Sequence, residues 1–188
     1  MKAPRRTRKA CGTQRLAPPA YGGYTGPMAK RRAYSVEGAN QLIPWVESVF
    51  SRLDEHRECW QKHNEGLQIL DVLWGERVQS SDNPDHAEYI GHRRDMDEAA
   101  RTVQDVVEKD LIGRGIRLPA GGLDSGIVDF PTTFEGRWIY LCWQRGEPRI
   151  THWHELETGF RGRRELLDDD AMNMGCDEPL PDDSGLDF

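Results

Sequence analysis

Residues 46–74 read VESVFSRLDEHRECWQKHNEGLQILDVLW, and the spacing inside this stretch decides the fold. Val46, Val49, Leu53, His56, Trp60, His63, Leu67, Leu70 and Trp74 follow one another in alternating steps of 3 and 4, a four-heptad, coiled-coil-like seam on one face of a single helix. At 1.5 Å per residue that helix is on the order of 43 Å long.

Upstream, Ser35 is placed to cap a helix that carries Val36, Ala39, Leu42 and Ile43. Pro44 lacks an N–H and disfavours helical geometry at Ile43, so it either opens a new helix or kinks this one. Downstream, Gly75 ends the helix, Gln79 to Asn83 turns the chain, and Pro84 opens a second helix at its first position. Tyr89, Met96, Ala99, Ala100, Val103, Val106, Val107 and Leu111 give that helix its own apolar stripe, which Gly113 and Gly115 stop. Two helices joined by a short loop pack antiparallel, which sets His63 opposite the region of Met96 and His56 opposite Val103. The expected hairpin covers residues 35–112.

The pattern then changes to strands, over a β unit expected at 115–160. Gly126 to Phe134, Arg137 to Trp143 and Glu147 to Leu156 are separated by Glu135-Gly136 and Arg145-Gly146, which predicts a three-stranded antiparallel sheet with two-residue turns. Phe130 then pairs with Leu141, and Leu141 with Ile150. Val128, Phe130, Phe134, Ile139, Leu141, Trp143 and Ile150 share one face with Arg137, His152 and His154; Asp129, Trp138, Tyr140, Cys142, Arg149, Thr151 and Trp153 share the other. The first is the expected core face, and the fold class is α+β.

Charge divides the chain. Residues 1–33 carry nine basic side chains and no acid, residues 165–188 carry nine acids and no Lys or Arg, and the whole has a net charge of −7. Such compositions do not bury a core, so a basic tail (1–33) and an acidic tail (167–188) are expected to be disordered on either side of one domain at 34–166. No apolar run approaches the roughly 20 residues of a bilayer span, and no apolar segment follows the first basic residues. The four cysteines are scattered without a C-x-x-C pair, which suits free thiols and a cytoplasmic location.

Several runs carry a family resemblance. Tyr34-Ser35-Val36-Glu37-x-Ala39-Asn40-x-Leu42-x-Pro44 opens it, followed by Val128-Asp129-Phe130-Pro131, Tyr140-Leu141-Cys142-Trp143, Gly146-Glu147-Pro148, Trp153-His154-Glu155-Leu156 and Gly159-Phe160-x-Gly162-Arg163. In this order over residues 34–166 they resemble the domain-of-unknown-function family numbered 2203. The resemblance implies a prokaryotic, cytoplasmic protein and supplies no activity.

Three groups of residues bear chemistry. Arg137, Glu147, His152 and His154 form the first candidate ligand site, with a cation beside two imidazoles that suits an anion better than a metal. Asp129, Cys142 and Arg149 form a second row across three strands, read as a register-fixing polar contact more than as an activated thiol. His56, Cys59 and His63 interrupt the first helix seam, but His56 and His63 stand two turns apart, too far for one ion, so they are read as polar seam residues and no metal or cofactor is assigned. Phosphate-loop, dinucleotide, Ser-His-Asp and zinc-ribbon patterns are absent at usable spacing. The leading expectation is therefore a non-enzymatic interaction protein that uses its hairpin to meet a second copy or another protein. A small metal- or anion-dependent enzyme or ligand-binding protein with its site on the β unit is the alternative, and a nucleic-acid-associated factor acting through the basic tail is a third reading.

Overall fold

The structure, a computed structural model, describes residues 32–186. A single helix, α1, runs from Val36 to Trp74 and is about 58 Å long at the standard rise. Ser35 caps it, its hydroxyl accepting a hydrogen bond from the Gly38 amide at 3.1 Å. Pro44 sits inside this helix and does not divide it. The helix ends at Gly75, whose φ of 57° lies in the region that favours glycine. A short 3₁₀ turn, Gly75–Gln79, leads to α2, His86–Val106, which begins two residues after Pro84. The chain then widens into a π-type turn at Val107–Leu111 and closes through a 3₁₀ turn at Ile112–Arg114.

The two helices pack as the expected antiparallel hairpin. His63 meets His92 and reaches toward Asp95, within a turn of the expected Met96. Nearer the sheet, Arg52 and Asp110 pair across the helices at 2.6 Å.

A short helix, α3 (Gly122–Ser125), precedes four antiparallel strands in sequential order: β1 Ile127–Phe134, β2 Arg137–Gln144, β3 His152–Glu155 and β4 Arg164–Glu165. The sheet thus has four strands where three were expected, because the turn at Phe160–Gly162 returns the chain to pair Arg164 with Trp153 and Glu165 with His152.

Phe130 pairs with Leu141 as the two-residue turn at Glu135-Gly136 requires. The next register differs: Leu141 pairs with Trp153, not with Ile150. Arg145 to Thr151 form a loop because the Glu147 carboxylate accepts the Gln144 amide at 2.8 Å, Pro148 supplies no N–H, and the Ile150 amide donates to Asn40 Oδ1 of α1 at 2.8 Å. A shift by three residues is odd, so it turns every β3 side chain over. Trp153 therefore joins the core face, while His152 and His154 join Cys142 on the far one.

The core lies between this sheet and the first half of α1. Val46, Val49, Phe50 and Leu53 pack on Val128, Phe130, Ile139, Leu141, Trp143 and Trp153, with Val103, Val107 and Leu111 closing the layer. Beyond Leu53 the hairpin leaves the sheet and continues as a two-helix arm. Its seam residues His56, Trp60, His63, Leu67 and Trp74 are half-buried.

The far face of the sheet is covered by the chain's own ends. Trp138 and Tyr140 pack with Leu186, and the Trp138 indole N–H donates to the Pro181 carbonyl at 3.1 Å. The acidic residues 167–186 were expected to be disordered and outside the core. They instead contain a helical turn, α4 (Asp168–Ala171), and bury Met174 and Leu186 while most of their carboxylates stay exposed. Gly175 makes this possible: its φ is 76°, its amide donates to the Thr133 carbonyl, and a Cβ there would lie 2.7 Å from the Tyr34 carbonyl oxygen. The basic residues 1–31 lie outside the described residues, and with them the tail expected there. Met174→Ala should cost about 2–5 kcal/mol of unfolding free energy, as other large-to-small core changes do; urea denaturation of the full chain measures it, and a cost within a few tenths would show the segment is peripheral.

Candidate functional site

The inverted β3 face creates a buried polar cluster on the far side of the sheet. Asp129 on β1, Cys142 on β2 and His154 on β3 are all buried and bring one ligand-type atom each within 4.8 Å of the others. His154 Nε2 lies 3.3 Å from Asp129 Oδ1, and both side chains are at most 1% exposed. Arg117 reaches the other carboxylate oxygen at 2.9 Å. It is delivered by an isolated bridge in which Arg117 and Asp129 exchange both backbone hydrogen bonds. The Arg117 guanidinium also lies 4.9 Å over the Tyr140 ring, which in turn packs against His154.

The protonation of His154 follows from its partners. Nδ1 lies 2.7 Å from the Glu155 carbonyl oxygen and Nε2 faces a carboxylate, so both neighbours are acceptors and both ring nitrogens donate. Burial lowers the affinity of this ring for a proton, but the Asp129 hydrogen bond, the Glu155 carbonyl and the Asp129 charge together outweigh it and hold its pKa above the ordinary 6.5. The Cys142 thiol is driven the opposite way from reactivity. Burial raises its pKa far above 9.0, the Asp129 charge raises it further, and Arg163 only partly offsets them. A thiol held protonated and sealed from solvent is not an activated nucleophile. Asp129 is already engaged by Arg117, His154 and Cys142, and the guanidinium beside it opposes a second cation. The cluster ties β1, β2 and β3 to the 117 segment.

The residues expected to form the first ligand site are not brought together. Arg137 pairs with Glu155 at 3.2 Å, where β2 begins and β3 ends. Glu147 is held by Arg163, whose Nη2 lies 2.9 and 2.8 Å from the two carboxylate oxygens and also donates to the Cys142 carbonyl at 3.1 Å. His152 contacts the Thr151 hydroxyl at 2.9 Å, and His154 belongs to the Asp129 cluster. Of the second row, Asp129 and Cys142 do meet, but Arg149 is exposed in the β2–β3 loop and His154 takes its place. The cause is again the odd register. His56 and His63 do not approach one another, and His63 instead faces His92.

Two residues escaped the sequence reading. Arg117 precedes the strands and gives no periodic signal; Arg163 lies between β3 and β4, inside the Gly159-to-Arg163 run, and only the fold shows that it clamps Glu147.

The family model described as "Uncharacterized conserved protein (DUF2203)" matches residues 32–166. No curated protein matches the chain, and neither does any solved structure.

The raised pKa of His154 has a sign that can be checked. Its contribution to stability is complete below the unfolded value near 6.5 and is lost as pH rises through the higher folded-state value. The stability of the wild type relative to His154→Gln should therefore be greatest below the ordinary 6.5 and shrink as pH rises above it, with a slope of at most about 1.4 kcal/mol per pH unit. Urea melts of both proteins across that range measure it; a difference independent of pH would show that His154 folds neutral.

Proposed function

We propose that this chain, which belongs to the DUF2203 family, is a non-enzymatic interaction protein that self-associates through its helical arm. The observation that carries this reading is a second apolar face on the distal part of α1. Leu67 and Leu70 point inward, whereas Ile69, Val72 and Leu73 on the opposite side are 60%, 82% and 60% exposed. A helix that is apolar on two sides is built to be covered on two sides, and α2 covers only one. An exposed patch of this kind, rimmed by Glu65 and Gln68, is the usual mark of an interface.

A second copy is the occupant that fits best. The patch is continuous along one helix, so it can mate with itself across a two-fold axis, and doubling a two-helix arm gives a four-helix layer with both faces of α1 buried. Two large aromatics of the arm, Trp74 and Tyr89, have partners within the chain and lie outside this patch. The Trp74 indole donates to Asp85 at 2.7 Å, and Tyr89 is covered in part by Arg93.

The enzymatic alternative draws less support, because its four expected residues are spent on separate partners and the buried thiol is held protonated. No described helix is long and apolar enough to cross a membrane.

Light scattering and sedimentation of the full chain over a micromolar concentration series test the proposal. The wild type should dimerise, and Val72→Glu should weaken the dimer by on the order of a hundredfold or more, since it places a charge in a desolvated interface. Because Val72 is exposed in the single chain, its circular dichroism should be unchanged. A wild type that stays monomeric at every concentration rejects self-association.

A further inference from the structure

The arm contains a pair of side chains that neither the core nor the apolar patch explains. His63 of α1 and His92 of α2 face each other with their Nδ1 atoms 2.9 Å apart and their rings inclined at 61°. Behind each ring stands a carboxylate: Asp95 Oδ2 is 4.0 Å from His63 Nε2, and Glu88 Oε1 is 3.6 Å from His92 Nε2. A carboxylate behind an imidazole favours the proton on the nitrogen it faces, as it does behind metal-binding histidines. Without an ion, the Nδ1–H of one ring donates to the Nδ1 of the other across the helix interface. A cation in place of that proton is met by the lone pairs of both rings.

Gly66 is part of the same construction. It lies on α1 one turn beyond His63, and a Cβ there would stand 2.4 Å from His92 Nε2. The absent side chain lets the His92 ring lie against α1 and meet His63. The two histidines are 16% and 21% exposed, so an ion can reach them from solvent.

We propose that His63 and His92 form a binding site for a divalent late first-row transition metal, of the nickel or zinc kind, which clips the two helices of the arm together. Nitrogen–metal distances are 2.0–2.1 Å, so nitrogens 2.9 Å apart subtend about 90° at an ion bound to both, the angle between adjacent ligands of a tetragonal site. A tetrahedral ion needs them only about half an ångström further apart. Asp95 and Glu88 orient the rings and supply the negative charge that offsets the ion, and the remaining positions are left to water. Both histidines belong to one chain, so the site does not depend on self-association.

The test uses the full chain without an affinity tag, stripped of metal and titrated calorimetrically with Ni²⁺ and with Zn²⁺. One site per chain of micromolar affinity is expected, weakened at least about tenfold in His63→Ala and in His92→Ala and unchanged in His152→Ala. Gly66→Ala keeps both imidazoles and favours the helix, so a similar weakening there reads displacement of the ring and not loss of the arm. It decides the matter should either histidine variant fail to fold. Absence of binding at millimolar metal, or affinity that none of these three arm substitutions changes, overturns the site.

Discussion

The loop from Arg145 to Thr151 is the constraint on which the rest of the molecule depends. Glu147 is gripped by Arg163 and accepts the Gln144 amide, while Asn40 on α1 takes the Ile150 amide. These contacts satisfy polar groups that would otherwise seek a partner in the sheet, and they delay the start of β3 until His152. With that delay Trp153 faces α1 and His154 faces Asp129. A strand begun one residue earlier would bury two imidazoles against Phe50 and Leu53 and expose an indole, so the loop chemistry and the core composition support the same register.

The buried polar cluster follows from this register and reinforces it. Loss of Arg117 or of His154 removes the charged partner of one Asp129 oxygen at 1% exposure, and breaking such a buried pair costs far more than the intact pair contributes. The geometry favours specificity over reactivity. Its thiol is a donor to a carboxylate, its imidazole lies between two acceptors, and its guanidinium stacks on Tyr140. Each group is consumed by its neighbours, and the C-terminal segment with Leu186 closes over that side of the sheet.

The same helix, α1, lives in two environments. Up to Leu53 it is one layer of a conventional core, with residues such as Val46 and Val49 fully enclosed. Past Asp54 and Arg57, which still reach Arg145 and α3, it runs beside α2, its seam turns polar at His56 and His63, and its opposite face turns apolar at Ile69, Val72 and Leu73. A two-helix arm buries little surface for the backbone it orders, so added contacts are worth most there. The apolar patch and the facing histidines both lie in this region.

The sequence by itself determined the elements whose signal is local and repeated. Heptad spacing from Val46 to Trp74 is enough for a long helix, a Gly-ended helix followed by a short polar turn and a second apolar stripe is enough for a hairpin, and Glu135-Gly136 is enough to pair Phe130 with Leu141. These follow because side-chain periodicity and turn geometry act over a few residues. The face of β3, the fourth strand, the burial of Met174 and Leu186, and the partners of Asp129, Glu147 and His63 were decided by tertiary structure alone. Asn40 to Ile150, Arg117 to Asp129 and His63 to His92 are contacts between segments with unrelated periodicities, and nothing in either segment marks the other as its partner. An odd shift at one such contact was sufficient to exchange the two faces of a strand, which is why the polar residues were identified while their partners were not.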